Sequence, residues 1–405
     1  MPKLIITYPN FPGSNIINQE YSDPLGPLHI GTWLKNKGFG VVIVNCVLDG
    51  NWKQTLLKEM MGAAAVAISA MTEQTPGVLE IAKFVKSNSR LPVIMAQVHA
   101  TLLPQQCLES PLVDYVIIGE GEIATEKLMR YLSYKEGELS QIGAIGYKDK
   151  DGKIYINTQR EPFNFEDMPL VDYSLLGEKI FRNIDKYGVG VLTSRGCPYG
   201  CLFCINSVIK ENRIWRAWSA PRVIKELENL ASFGVKKIVF WDECFFTNKT
   251  RVLSILDYLE KNNIKIEWFG NLRADFFRPD YMDDENFLRR LENNGLRWVS
   301  IGAESGSQKV LNYMAKGISP EKLLHTAKLL NKTKIVCLYS FMIGLPTEQP
   351  DDMVATIKII KQIQDFYPNA KFAGPQFYRP YPGSVMYQEC LKSGWKPPSS
   401  LESWA

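Results

Sequence analysis

Long hydrophobic runs are missing from this 405-residue chain. No stretch of about 18 or more apolar residues occurs, so no segment is suited to span a membrane. Neither sign of charge dominates: 47 Lys+Arg against 43 Asp+Glu leave +4. That balance supplies no strong basic field, which disfavours nucleic acid as a partner. No leader is expected ahead of the first element, because Met1-Pro2-Lys3-Leu4-Ile5-Ile6 enters an apolar strand pattern at once. The cytoplasm is therefore the expected compartment. A G-x-G-x-x-G turn is absent after that first strand, which disfavours a dinucleotide. Cysteine is sparse as well, with 8 in the chain, and a disulfide framework belongs to small secreted domains rather than to a chain of this length.

Three of those cysteines stand together in Cys197-Pro198-Tyr199-Gly200-Cys201-Leu202-Phe203-Cys204. Their spacing is C-x3-C-x2-C, and the next cysteine is Cys244. A zinc knuckle wants four protein ligands in paired halves, and a second C-x2-C pair is lacking. A redox dithiol explains Cys201 and Cys204 and leaves Cys197 idle. Thiolates are the ligands of iron–sulfur clusters, and a cubane held wholly by protein needs four. Three close thiolates point to a cluster with one iron left open to a small molecule. Cys46, Cys107, Cys337 and Cys390 fall on apolar elements and read as core filler. Cys244 lies at a strand end near the triplet, where a functional thiol is conceivable.

The length suits two or three domains, and two halves share one rhythm. From residue 1 to 133, strands are expected at Leu4–Pro9, Val41–Cys46, Ala64–Ala70, Pro92–Gln97 and Tyr115–Gly119, alternating with helical patterns. Strands apolar on both faces and separated by helices predict a parallel, doubly wound sheet. Its ligand loops would follow the strands: Tyr8-Pro9-Asn10-Phe11-Pro12, Ser69-Ala70-Met71-Thr72, Gln97-Val98-His99-Ala100-Thr101 and Gly119-Glu120-Gly121-Glu122. Residues 134–187 read as a connector with a hairpin around Asp151-Gly152. Six further strand–helix units follow over 188–390, too few to close an eight-stranded barrel, which predicts an open (β/α)6 crescent with its site at the strand C-termini. Residues 391–405 remain as a tail. The interleaved Arg213-Ile214-Trp215-Arg216-Ala217-Trp218 invites a nucleic-acid reading, but a lid or helix entry beside the cysteines is preferred, with Ser219 as N-cap.

The cysteine signature resembles that of the radical S-adenosylmethionine (SAM) superfamily, and the likeness runs over roughly 188–385. The first 130 residues resemble the cobalamin-binding domain ahead of many such cores, through Pro24-Leu25-Gly26, His99-Ala100-Thr101 with Pro104, and Asp114–Glu122. The resemblance implies an α/β protein with an N-terminal Rossmann- or flavodoxin-like cobalamin-binding domain and a radical SAM partial (β/α)6 barrel. It implies Cys197, Cys201 and Cys204 as ligands of a [4Fe–4S] cluster whose open iron is chelated by SAM. Phe203, Asp242, Glu243, Arg273 and Glu304 would contact SAM, with Arg273 on its carboxylate and Glu304 on the ribose. Ser69, Met71, Thr72, Gln97, His99, Ala100, Gly119, Glu120 and Gly121 would face cobalamin. Two departures stand out: relatives carry Gly-Gly where Ala96-Gln97 stands here, and Ile343-Gly344-Leu345-Pro346 continues as Thr347-Glu348-Gln349 rather than Gly-Glu-Thr, so that loop is expected to sit differently.

The implied function is a cobalamin-dependent radical SAM methyltransferase acting on an unactivated carbon. It would take a small-molecule or peptide substrate and electrons from a flavodoxin or ferredoxin. The alternatives are cyclisation, rearrangement or oxidation without methyl transfer, and a corrinoid or cluster carrier without turnover. The tail is expected to stop short of the helical region with which relatives cover the substrate. The likeness singles out no catalytic side chain.

Overall fold

The computed structural model describes residues 1–10, 24–177 and 188–405. They divide into two units, Met1–Arg182 with Pro397–Ala405, and Asn183–Lys396. Phe11 and Pro12 of the first expected ligand loop lie outside the described residues.

In the first unit the strands are β1 (Lys3–Tyr8), β2 (Gly40–Asn45), β3 (Ala63–Ser69), β4 (Val93–Ala96), β5 (Tyr115–Ile117), β6 (Ile145–Lys148) and β7 (Ile154–Asn157). They form one sheet in the order β2-β1-β3-β4-β5-β6-β7, in which β1 to β5 are parallel. This is the doubly wound order whose ligand crevice opens at the carboxyl ends, where the strand order reverses. The helices are α1 (Leu25–Asn36), α2 (Trp52–Met60), α3 (Thr75–Asn88), α4 (Val98–Leu102), α5 (Pro104–Glu109) and α6 (Glu122–Tyr134). Their apolar faces meet fully buried strand residues such as Ile5, Val66, Ile68 and Val93, through Leu56, Val78, Ala82 and Leu108. Each such aliphatic side chain contributes about 1.5–3 kcal/mol.

The stretch expected to be a connector is partly a piece of this sheet. The β6–β7 hairpin turns at Asp151-Gly152, and β6 pairs antiparallel with β5 through Tyr115↔Tyr147, Val116↔Gly146 and Ile117↔Ile145. An antiparallel extension satisfies the edge of β5, which would otherwise present unpaired backbone groups. The tail is likewise attached. Leu401 is fully buried in the same core, Trp404 Nε1 donates to Gln106 Oε1 at 2.6 Å, and Glu402 Oε1 accepts from Ser110 Oγ at 2.7 Å.

The second unit holds β8 (Val189–Val191), a short antiparallel ribbon of β9 (Ser194–Arg195) and β10 (Arg216–Ala217), then β11 (Lys237–Phe240), β12 (Glu267–Leu272), β13 (Leu296–Glu304), β14 (Val336–Ile343) and β15 (Lys371–Phe377). Apart from the ribbon, these strands make a six-stranded parallel sheet in chain order, β8-β11-β12-β13-β14-β15. Sequential parallel pairing is the open (β/α)6 arrangement that the rhythm predicts. The longer intervening helices are α7 (Ala220–Ser232), α8 (Lys249–Lys261), α9 (Glu285–Asn293), α10 (Gln308–Tyr313), α11 (Pro320–Leu330), α12 (Pro350–Phe366) and α13 (Val385–Lys392). Ser219 caps α7 by accepting from Arg222 N at 3.3 Å, with Pro221 in the first turn where its missing N–H costs nothing. Asn248, Ser319 and Ser384 cap α8, α11 and α13 in the same way. Among the described residues no helix is long and apolar enough to cross a membrane.

Candidate functional site

The cysteine loop leaves the carboxyl end of β8 and is anchored from several directions. Gly196 adopts φ +83, and a Cβ there would lie 2.4 Å from Ile214 O, so only glycine fits. Cys197 N donates to Asn212 O at 2.7 Å, and Leu202 N donates to Met314 O at 2.9 Å. All eight cysteines of the chain are free thiols. Arg273, at the end of β12, stacks its guanidinium 3.5 Å from the Tyr199 ring centroid and directs Nη1 to Cys201 Sγ at 3.7 Å.

The electrostatics suit thiolate ligands. Cys197 is held below the ordinary thiol range, first by a hydrogen bond from the Cys244 thiol and then by the charges of Arg273 and Lys316. Cys244 is shifted upward by that same bond and keeps its proton. Burial pushes Cys204 up to about 11. Among the described residues no three His, Cys, Asp or Glu side chains stand close enough to share one metal ion. A polynuclear cluster makes a different demand, one iron for each thiolate. Three free thiols on one loop, with Arg273 and Lys316 nearby, fit that demand.

The other residues implied for SAM divide. Asp242, after β11, is fully buried, with its carboxylate taken up by partners within the protein. Its Oδ1 accepts from Thr193 Oγ1 at 2.8 Å and from Ser194 Oγ, and its Oδ2 accepts from Thr193 N at 3.1 Å. It therefore ties the root of the cysteine loop to the neighbouring strand, and Arg251 reinforces the knot through Thr193 Oγ1 at 2.5 Å. Glu243 points the other way and is solvent-accessible, yet enough protein surrounds it that desolvation pushes its carboxyl up to about 7. Arg273 does not present a free fork: Nε and Nη2 bind Asp275 at 2.9 and 3.3 Å, and Nη2 also reaches Lys316 O at 2.7 Å. Phe203 packs with Leu202 against Val310, Met314, Leu345 and Met386.

Glu304 ends β13 with φ +65, a conformation unfavourable for a residue with a Cβ. Its Oε1 accepts from Lys316 Nζ at 2.8 Å. Gly302 leaves room for this pair, since a Cβ there would fall 2.3 Å from Glu304 Oε1. The divergent loop after β14 closes on itself, with Glu348 Oε2 accepting from Gly344 N at 2.5 Å. Lys316 and Thr193 escape a sequence reading because neither lies in a motif. The hydroxyl pair Thr193-Ser194 directly before the cysteine loop was the available hint.

In the first unit the expected cobalamin loops do gather at the strand C-termini. Ser69 Oγ donates to Gln97 Oε1 at 3.1 Å, and Gly119 N donates to Thr101 Oγ1 at 2.8 Å. Met71 N donates to Gln74 Oε1 at 2.9 Å. Gln97 takes φ +81 and ψ −154, a region essentially reserved for glycine, which costs of order 1–3 kcal/mol. The backbone thus keeps the glycine geometry of the resembling motif with a side chain added. Gly119, at φ +75, lies under the Arg160 guanidinium, which the sequence reading missed. Small residues and a glycine-type turn at these ends fit a flat ligand approaching the backbone. His99 does not fit an axial ligand. It is fully buried, its Nδ1 pairs with Thr72 Oγ1 at 3.2 Å, its ring meets Trp404 edge-on at 5.6 Å, and Nε2 has no protein partner.

The fold and the thiol loop together define an iron–sulfur α/β protein that has both a corrinoid-type sheet and a (β/α)6 core. Comparison with known proteins agrees. The model of the radical SAM superfamily matches residues 191–360, and that of the B12 binding domain matches 19–129. An uncharacterized methyltransferase of Pyrococcus horikoshii is 33% identical over 331 residues, 80% of this chain and 69% of that protein. The anaerobic magnesium-protoporphyrin IX monomethyl ester cyclase of Rubrivivax gelatinosus is 25% identical over 399 residues, 96% of this chain and 70% of that protein. Among solved structures, the radical SAM methyltransferase TsrM from Kitasatospora setae superposes with a TM-score of 0.78 at 18% identity, covering 97% of this chain and 76% of that one. The cobalamin-dependent radical enzyme OxsB gives 0.73 at 22%, covering 89% of this chain, which spans 52% of that one. The chain belongs to the radical SAM superfamily, in the cobalamin-dependent methyltransferase family that carries a B12 binding domain. It is an enzyme whose cofactors are a [4Fe–4S] cluster, SAM and cobalamin.

Proposed function

We propose that this enzyme methylates an unactivated carbon of a small-molecule or peptide substrate, with Cys197, Cys201 and Cys204 as the cluster ligands. The observation that carries the reading is the loop of three free thiols at the end of β8, with the Arg273 guanidinium directed at Cys201. When bound, the cluster and SAM supply one-electron chemistry and cobalamin supplies a methyl group. The chain's own part is placement. Asp242 and Arg251 hold the root of the loop, and Arg273 offsets thiolate charge rather than forking onto the SAM carboxylate. Glu304 keeps Oε2 for a ribose hydroxyl while Lys316 holds Oε1. Glu243, accessible and poised near neutrality, is the acid available to the SAM amino group. Ser69, Met71, Thr72, Gln97, Ala100, Gly119, Glu120 and Gly121 line the corrinoid site, and His99 shapes its floor. A flavodoxin or ferredoxin would deliver electrons, in the cytoplasm, where free thiols persist.

A second reading, cyclisation without methyl transfer, is favoured by one observation, the likeness to the cyclase over 96% of the chain. Anaerobic reconstitution with iron, sulfide and cobalamin, followed by SAM and reductant, separates the two. S-adenosylhomocysteine together with 5′-deoxyadenosine supports methyl transfer. 5′-Deoxyadenosine alone rejects it and leaves the cyclase-type reading. Replacing Cys197, Cys201 and Cys204 together with Ala must abolish bound iron, and a full cluster in that variant overturns the ligand assignment.

A further inference from the structure

The hairpin that extends the first sheet delivers a cation to the strand ends where the corrinoid loops gather. β6 pairs antiparallel with β5, and β7 with β6, so β7 runs in the direction of β5 and finishes at the same end of the sheet. The pairing continues past the strands: Ile118 N donates to Ala144 O and Ala144 N to Gln159 O, both at 2.9 Å. Gly143 permits this approach, since a Cβ there would fall 2.2 Å from Gln159 O. On the other side, Glu161 pairs with Lys127 Nζ on α6. Arg160 stands between these two anchors, and its guanidinium lies over Gly119. A Cβ on that glycine would fall 2.6 Å from Arg160 Cζ and Nη1 and 2.8 Å from Nη2. Gly119 N donates to Thr101 Oγ1 at 2.8 Å, and Thr101 Oγ1 donates to Gln97 O at 2.7 Å. Gln97 Oε1 accepts from Ser69 Oγ at 3.1 Å. One network thus joins the ends of β3, β4 and β5, and a half-buried cation covers its last member.

From this placement we infer that Arg160 is a cobalamin-binding residue whose guanidinium takes the phosphodiester of the cofactor's nucleotide arm. The inference rests on the corrinoid loops read above and adds a residue from outside the parallel strands. The chemistry favours the phosphodiester because it is the anionic group on the outside of cobalamin, the corrin periphery carrying neutral amides. A planar guanidinium meets two phosphate oxygens with parallel N–H donors and keeps its charge at any working pH. Its five N–H donors mean that a contact within the protein leaves others for a ligand. The missing side chain of Gly119 leaves room for a ligand to approach the backbone beneath that fork. An amide oxygen of the corrin periphery is the competing acceptor, and the experiment separates the two.

The test is a titration of the full chain with two corrinoids, read by quenching of tryptophan fluorescence. One is hydroxocobalamin; the other is aquohydroxocobinamide, which keeps the corrin amides and lacks the phosphate, ribose and base. Wild type is compared with Arg160→Met, and with Arg160→Gln should the Met variant fail to fold. Loss of one charge-assisted hydrogen-bonding partner is expected to weaken hydroxocobalamin about 10- to 100-fold and to leave the cobinamide within about twofold. Equal weakening toward both corrinoids overturns the phosphodiester assignment, because a lost amide contact or a disturbed Gly119 turn acts on both alike. Unchanged affinity for hydroxocobalamin overturns it as well. Should the cobinamide bind wild type too weakly to titrate, salt decides: hydroxocobalamin affinity should fall with ionic strength less steeply in Arg160→Met than in wild type. Parallel salt slopes then overturn the inference. Wild type that binds neither corrinoid overturns it together with the corrinoid-site reading, whereas wild-type binding matched by the variant overturns it alone, which keeps the two failures distinct.

Discussion

Glu304 and Lys316 face each other across 2.8 Å, with side chains only 9% and 8% exposed. The pair crosses from the end of β13 to the segment after α10 that also supplies a carbonyl to Arg273. Removing one partner of a buried pair strands the other charge, at a cost of about 3–5 kcal/mol. Lys316→Met is therefore expected to lower the thermal midpoint of the protein sharply. Glu304→Gln with Lys316→Met should recover most of that loss. A double variant no more stable than Lys316→Met would show that the lysine acts through packing on Phe203 rather than through the carboxylate.

Gln97→Gly is expected to stabilise the cofactor-free protein. The substitution releases about 1–3 kcal/mol of backbone strain and forfeits one hydrogen bond, worth about 0.5–1.5 kcal/mol. The difference is small and positive, to be read as a higher melting temperature. Corrinoid retained through desalting should be equal or greater, because the ligand then meets bare backbone. A lower melting temperature would mean that the Ser69–Gln97 bond outweighs the strain.

Burial depresses His99 to about 4, below the ordinary histidine value of 6.5. The unfolded chain therefore binds the proton first on acidification, and stability contributed by the neutral ring is complete above about pH 6.5. It is lost as pH falls toward 4, by up to about 3 kcal/mol. Chemical denaturation of wild type and His99→Gln between pH 7 and about 4.5 checks this. The wild-type slope should be the steeper one, and parallel curves would refute the assignment.

Leu401→Ala tests the docked tail. A fully buried leucine removed from a core costs about 2–5 kcal/mol. Hydrogen exchange should accelerate in α3 and α5, which pack around the tail, while β12 and β13 keep wild-type protection. Uniform acceleration in both units would mean that they unfold together.

Much of this was legible before any coordinates. The strand–helix rhythm places β1 to β5 of the first unit within two residues at each end, because parallel strands buried on both faces read as continuous apolar runs. The β6–β7 hairpin turn was legible at Asp151-Gly152, but its pairing with β5 was not, since periodicity reports which face is apolar and not which edge is adjacent. The glycine-type backbone of Gln97 was hidden for a related reason. A dihedral angle follows from the turn that the surroundings impose, and glutamine does not advertise it as glycine would.

What the sequence by itself determined is the chemistry that local order can encode: three thiols spaced for one loop, placed after a strand, in a chain without a second cysteine pair. What only tertiary structure decided is the partner of each polar side chain. Asp242 reads as a ligand at a strand end and is instead sealed beneath Thr193 and Ser194. Arg273 reads as a free fork and is bound to Asp275. Glu304 finds Lys316, and His99 finds Thr72 and Trp404. The physical reason is that a buried polar group must be satisfied by whatever donor or acceptor the fold brings within about 3 Å, and that neighbour generally comes from a different strand end, remote along the chain.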